Sequence, residues 1–227
     1  MIIKNNVKTR RIYKGEDSVD RIYKGTTKVY EFLPKEYQEV KCVITDGDCY
    51  IDSNFAFNQD TSIDMTFMTP SNLPTNKTQT LFYSGSSSSN PYGFAMTSSA
   101  ASGKYRVFYG GTYNGTLLNT GTKYNIKYEE NKFYLDNILI NTFTQRAFTV
   151  PFTMPFFAQY YQNTNPINKC YSGTKIYYIK IWDDTTIARD MIPCYRKSDN
   201  EVGFFDRVNK VFYTNLSATG QFSYESL

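Results

Sequence analysis

Tyr124-Asn125-Ile126-Lys127-Tyr128-Glu129-Glu130-Asn131-Lys132-Phe133-Tyr134-Leu135-Asp136-Asn137-Ile138-Leu139-Ile140 decides how this 227-residue chain is read. Its first five residues alternate apolar and polar, the two-residue period of a strand with one face in a core and the other in water. Glu129 to Lys132 and Asp136-Asn137 are polar, and their Asn and Asp bond their own main chain and tolerate left-handed backbone. Phe133 to Leu135 and Ile138 to Ile140 are the next two apolar runs. The stretch therefore predicts a meander of three strands joined by tight turns.

Outward from it the same signal recurs. Ile63-Asp64-Met65-Thr66-Phe67 alternates in the same way. Ile176-Tyr177-Tyr178-Ile179-Lys180-Ile181-Trp182 is apolar on both faces except at Lys180, as expected of a central strand with one face in the core and the other partly covered. Asp183-Asp184 turns the chain into Thr186-Ile187-Ala188-Arg189. The stretches Ser84 to Ser89, Ser98 to Gly103 and Gly110 to Gly115 are rich in Gly and Ser and read as loops. Strand signals continue from Tyr37 to the end with no helix-period segment, which predicts an all-β sandwich or jelly roll. Composition agrees, because 21 Tyr and 17 Phe favour strands over helices.

The first 34 residues differ from the rest. Arg11-Ile12-Tyr13-Lys14-Gly15 returns as Arg21-Ile22-Tyr23-Lys24-Gly25, each copy followed four residues later by Val19 or Val29. Each unit has the length of a small β-hairpin. Isolated hairpins are marginal in water, so two of them need a partner surface, and Arg11, Ile12, Tyr13, Lys14, Arg21, Ile22, Tyr23 and Lys24 are the candidates for attachment or oligomerisation. Leu33-Pro34 breaks the strand pattern and marks the boundary between residues 1–34 and a body at 35–227. The appendage carries eight basic groups against four acids, and the body seventeen of each, so the whole net charge of +4 sits in the appendage. Its Lys and Arg alternate with Ile, Tyr and Val at strand spacing, which fits a docking ribbon better than a nucleic-acid arm. No run approaches the roughly 20 apolar residues of a membrane span, and the N-terminus lacks the apolar core of a signal peptide. A soluble chain made in the cytoplasm is expected.

The chemistry of catalysis is sparse. The chain has no His, which removes Ser-His and Cys-His nucleophile systems. Cys42, Cys49, Cys170 and Cys194 form no Cys-x-x-Cys pair, so a zinc site is not expected; they read as buried thiols, with a Cys42–Cys49 bridge as the alternative. A glycosidase would need carboxylates about 5 to 10 Å apart across a cleft, and no clustered Glu-x-Asp-x-x-Glu strand is present. Asp46, Asp48 and Asp52 could contribute to a calcium rim, although nothing in their spacing demands it; Asp46-Gly47-Asp48 reads first as a turn. No catalytic residue, metal or cofactor is assigned, and no enzymatic activity is expected. Glycan binding on a sandwich uses aromatic rings against sugar faces with polar groups around them. Tyr92, Tyr109, Tyr113, Tyr160, Tyr161 and Trp182 are the candidates, each with a scaffold role as the competing reading.

Leu33-Pro34-Lys35-Glu36-Tyr37-Gln38-Glu39-Val40, then Tyr50-Ile51-Asp52-Ser53-Asn54-Phe55, then Ile179 to Asp183, Arg189 to Asp199 and Gly203 through Asp206 to Tyr213-Thr214-Asn215 form one ordered set of motifs. Together they resemble a concanavalin A-like or laminin-G-like jelly-roll module of phages and prophages of gut bacteria, over residues 33 to 222. The early "IYxGxxxV" repeat resembles segments that precede this module in fibre and head-decoration proteins of crAss-like phages. Lys41-Cys42-Val43 departs from the Glu-Tyr-Ile common in that family. The resemblance implies a phage virion structural protein, a head or tail fibre or a capsid decoration, assembled in the bacterial host cytoplasm. It implies other virion proteins as partners, homo-oligomers, and a lectin-like jelly roll that adheres to host surface glycans, with no nucleic acid and no membrane insertion. The first alternative is a carbohydrate-binding module encoded by a phage or prophage without a virion role; the second is a glycoside hydrolase, disfavoured by the missing carboxylate cluster.

Overall fold

The computed structural model describes residues 33–85, 91–144 and 147–227 in full, and the backbone alone of Tyr13–Lys14, Asp17–Ser18, Arg21–Lys24 and Thr27–Glu31. The two repeat copies are each a two-stranded antiparallel ladder: Tyr13–Lys14 pairs with Asp17–Ser18, and Arg21–Lys24 with Thr27–Glu31. Arg11 and Ile12, and the side chains of Tyr13, Lys14, Arg21, Ile22, Tyr23 and Lys24, lie outside the described residues.

The body is a sandwich of two sheets. The first runs, in order, Thr112–Asn114, Arg106–Tyr109, Tyr92–Thr97, Gln79–Gly85, Thr149–Phe156 and Ile51–Asn58, with Gln159–Tyr161 lying parallel to Gln79–Gly85 and pairing with Pro166–Ile167. The second runs Ile138–Thr142, Lys132–Leu135, Lys123–Glu129, Thr61–Met68, Lys175–Asp183, Thr186–Arg196, Val202–Asp206 and Val211–Thr214. Tyr37–Glu39 and Cys42–Ile44 extend this second sheet, and Ser223–Glu225 pairs with Cys42–Ile44. The meander is present as three consecutive antiparallel strands. At its second turn Asp136 (φ 51°) and Asn137 (φ 65°) both adopt left-handed backbone, the pair of positive angles that a two-residue hairpin turn requires. Lys175–Asp183 lies centrally, between Thr61–Met68 and Thr186–Arg196. One expected loop is not one: Gly110-Gly111 forms a tight turn, and Thr112–Asn114 returns as the edge strand of the first sheet. Two glycines side by side make a turn of that size sterically easy, and the polar residues after them suit an edge.

The core is aromatic and lies between the sheets. Phe57, Phe82, Tyr92, Phe94, Tyr109 and Phe156 come from the first sheet, and Phe67, Tyr128, Phe133 and Phe204 from the second. Tyrosine in a dry core brings a hydroxyl that must find a partner. Three such hydroxyls reach main-chain carbonyls outside their own sheet. Tyr92, fully buried, donates to the Thr61 carbonyl at 2.9 Å. Tyr109 donates to Gln59, and Tyr128 returns the contact by donating to Gly93. Burial holds the Tyr92 and Tyr128 hydroxyls well above their usual pKa.

The motif residues near the C-terminus are structural. Asp206 is fully buried, and its carboxylate accepts the backbone N–H groups of Asp190 and Val208 (3.0 Å each) and the Asn209 amide (2.7 Å). Arg189 approaches it at 3.7 Å while donating to the Ser53 and Asn54 carbonyls, which ties the second sheet to the strand Ile51–Asn58 of the first. All four cysteines are free and buried, which excludes the Cys42–Cys49 bridge from this structure. Burial raises each thiol, Cys49 and Cys194 to about 12, so none is poised as a thiolate.

Replacing Tyr92 by Phe keeps the ring and leaves the Thr61 carbonyl without its donor. The expected loss is about 1 kcal/mol, read as a lower urea midpoint at unchanged slope; an unchanged midpoint would show that the cross-sheet hydroxyl bond contributes nothing.

Candidate functional site

A strand presents alternate residues to opposite faces, so what is buried fixes what is displayed. In Arg106–Tyr109, Val107 and Tyr109 are core residues, and Arg106 and Phe108 therefore face outward. Their partners on the neighbouring strand are Ala95 and Gly93, which contribute almost no side chain to that outer surface. Small residues opposite large ones leave a depression. The result is a cleft of about 280 Å³ on the outer face of the first sheet, lined among others by Tyr83, Arg106, Phe108, Gln159, Tyr161 and Asn168.

The aromatic part of the cleft is a ladder. The Arg106 guanidinium lies over the Phe108 ring at 5.1 Å, Phe108 meets Tyr83 edge to face at 4.9 Å, and Tyr83 meets Tyr161 at 6.5 Å. Tyr83 is 5% exposed and forms the floor, where burial pushes its hydroxyl up to about 12; Tyr161 is 39% exposed and forms the rim. Opposite stand amides and hydroxyls. Gln159 accepts from the Asn168 amide (2.8 Å) and from the Thr80 hydroxyl (3.3 Å), so its side chain is held by neighbours rather than left to rotate. Thr78 and Asn168 also border a shallower depression of about 680 Å³ that reaches Asp46 and Lys169. Among the described residues, no Asp or Glu lines the cleft itself.

Most of the predicted ligand residues are elsewhere. Tyr92 and Tyr109 are 0% and 1% exposed, and Tyr160 3%, so none can offer a ring face to a ligand; their hydrophobic area belongs to the sandwich interior. Tyr113 is half-buried and packs on the core. Trp182 is on the second sheet, beside a separate 370 Å³ depression with Asp60, Lys127 and Glu129, and its ring is covered by the Lys180 ammonium at 5.3 Å. Tyr161 alone of the six enters the cleft. Sequence reading passed over Tyr83, Arg106 and Phe108; the usable signal was strand parity, since placing Tyr109 inside forces Arg106 and Phe108 outside.

The acidic turns are occupied by the fold. Asp46 accepts the Asp48 and Gln221 backbone N–H groups and the Cys49 thiol, and its pKa falls below the usual carboxylate value. Asp48 is paired with Lys169 and accepts from Thr219, and Asp52 accepts from Asn54 and Thr153. A calcium rim built on these three is not supported, because their oxygens already serve main-chain and side-chain donors. Among the described residues no group of three or more His, Cys, Asp or Glu could hold a metal ion, and no helix is long and apolar enough to cross a membrane.

No family model and no curated protein matches this chain. Among solved structures it is similar to a protein of Bacteroides ovatus ATCC 8483 described as a candidate carbohydrate-binding protein, with a TM-score of 0.54 and 9% identity. The likeness covers 84% of this chain and 61% of that one, so this chain spans less than two thirds of that protein's length. At such identity it establishes the β-sandwich fold.

The floor of the cleft depends on Gly93. A Cβ there would lie 2.4 Å from the Phe82 carbonyl oxygen and 2.7 Å from the Tyr83 Cα, and backbone cannot move aside cheaply. Gly93→Ala is expected to cost about 1–3 kcal/mol, measured by urea unfolding, and to displace the Tyr83 ring; wild-type stability in this variant would mean the strands adjust freely and the floor is soft.

Proposed function

We propose that the jelly roll is a carbohydrate-binding module and that the cleft on the outer face of its first sheet is the binding surface. The observation that carries this reading is the arrangement of an exposed ring, Tyr161, beside Phe108 and Tyr83, with the fixed amides of Gln159 and Asn168 within the same 280 Å³. Sugars present an apolar face of C–H groups and a rim of hydroxyls. Aromatic rings take the first and amides take the second. The fold likeness to a candidate carbohydrate-binding protein supports the same reading. That the described lining residues include no Asp or Glu supports binding without turnover, since glycoside hydrolysis needs a pair of acids at the sugar.

The wider setting we propose is a phage virion, where residues 1–34 attach the chain to other virion proteins, or to further copies of itself, and the jelly roll is displayed to host surface glycans. Two observations favour it beyond the motif resemblance. Each repeat copy forms a ladder of only two strands, too small to be stable in isolation. The excess positive charge of the chain is confined to the same residues, which suits orientation against an acidic partner surface.

Two experiments test these readings. On a glycan array, Tyr161→Ala is expected to weaken every hit by about tenfold, the effect of removing one anchoring ring, while Trp182→Ala leaves the hits in place. The opposite pattern would move the site to the second sheet, and a blank array with wild-type protein would remove the carbohydrate reading. Separately, a chain lacking residues 1–34 is expected to remain folded and soluble and to be missing from purified particles by mass spectrometry; its normal incorporation would defeat the attachment role.

A further inference from the structure

We infer that the ligand is an acidic glycan, recognised by Arg106 through a carboxylate or sulfate group; this rests on the cleft being the carbohydrate site. Arginines in folded proteins are normally matched by anions or carbonyls, because a guanidinium withdrawn from water must replace its hydration. The other fully described arginines follow that rule. Arg189 bonds the Ser53, Asn54 and Ala188 carbonyls beside Asp206, Arg196 pairs with Asp199, and Arg207 with Asp190. Arg106 does not. It is half-buried, its Nε is shut off from solvent with no hydrogen-bond partner, and among the described residues its guanidinium makes no ion pair, having the ring contact with Phe108 and a through-space interaction with the Tyr83 hydroxyl.

The surroundings favour an anion from outside. Among the described residues that line the cleft, Arg106 is the one with a formal charge, and no described acid stands there to compete for it. The cation–π contact with Phe108 helps to hold the guanidinium over the ring, which reduces the freedom lost when an anion docks. A carboxylate or sulfate on a sugar would meet the terminal amino groups of the guanidinium, while the sugar body would rest toward Tyr161 and the amides of Gln159 and Asn168. A purely neutral ligand would leave the charge half-buried and unmatched. The aromatic ladder and the charge thus define a site for a saccharide with one anionic substituent.

The test uses the full-length protein and an array of neutral, uronate-bearing, sialylated and sulfated glycans, followed by titration of the best acidic hit and its carboxyl-reduced or desulfated form. Acidic glycans are expected to dominate, and removing the acidic group, or making Arg106→Gln, should weaken binding by about tenfold or more, the size of one charge-assisted hydrogen bond. Arg106→Lys keeps the charge without the fork and should recover only part of the loss; it also serves if the Gln variant melts early. Wild-type affinity should fall as salt rises. Neutral and acidic glycans bound equally, with Arg106→Gln unchanged, would overturn the acidic specificity and leave the carbohydrate reading intact. No glycan bound at all would overturn both.

Discussion

The hydroxyls of buried tyrosines constrain this molecule more than any other group. A core of phenylalanine alone would hold the two sheets by shape and packing without any directional bond. Tyr92, Tyr109 and Tyr128 remove that freedom, since each hydroxyl must meet a carbonyl outside its own sheet or lose its hydrogen bond in a dry interior. Thr61, Gln59 and Gly93 supply those carbonyls. The two sheets are thereby held in one relative position, and the buried Asp206 hub with Arg189 repeats the connection at another place.

That fixed position determines what the outer surface shows. Once Tyr92, Phe94 and Tyr109 point inward, Gly93, Ala95, Arg106 and Phe108 must point outward. The cleft is therefore the reverse side of the core rather than a separate construction. Its depth comes from the small residues at 93 and 95, its floor from Tyr83, and its charge from Arg106, which makes no ion pair with any described residue.

Polar chemistry elsewhere in the body serves structure. The carboxylates of Asp46, Asp48 and Asp52 hold turns and cross-links, and the four thiols are buried, which raises their pKa. This division leaves the cleft as one place, among the described residues, where aromatic, amide and charged groups meet without a structural task that consumes all of them. A surface of that kind suits recognition.

Much of the architecture was legible in the residues. The meander at 124–140, the alternation at 63–67 and the doubly apolar strand at 176–182 are local patterns, and local alternation is set by the geometry of a single strand. The hairpin repeat is likewise a short-range feature. The cleft was not legible, because Tyr83, Arg106, Gln159 and Tyr161 come together only through strand pairings between distant segments. Tyr160 and Tyr161 make the reason concrete: the same residue type stands at adjacent positions, one buried against Tyr50 and one on the rim, and no composition rule separates them. The sequence by itself determined that this chain makes strands and that aromatics fill its core. Which rings stay outside was decided by tertiary pairing, because the face a strand shows to water depends on the register of its neighbours.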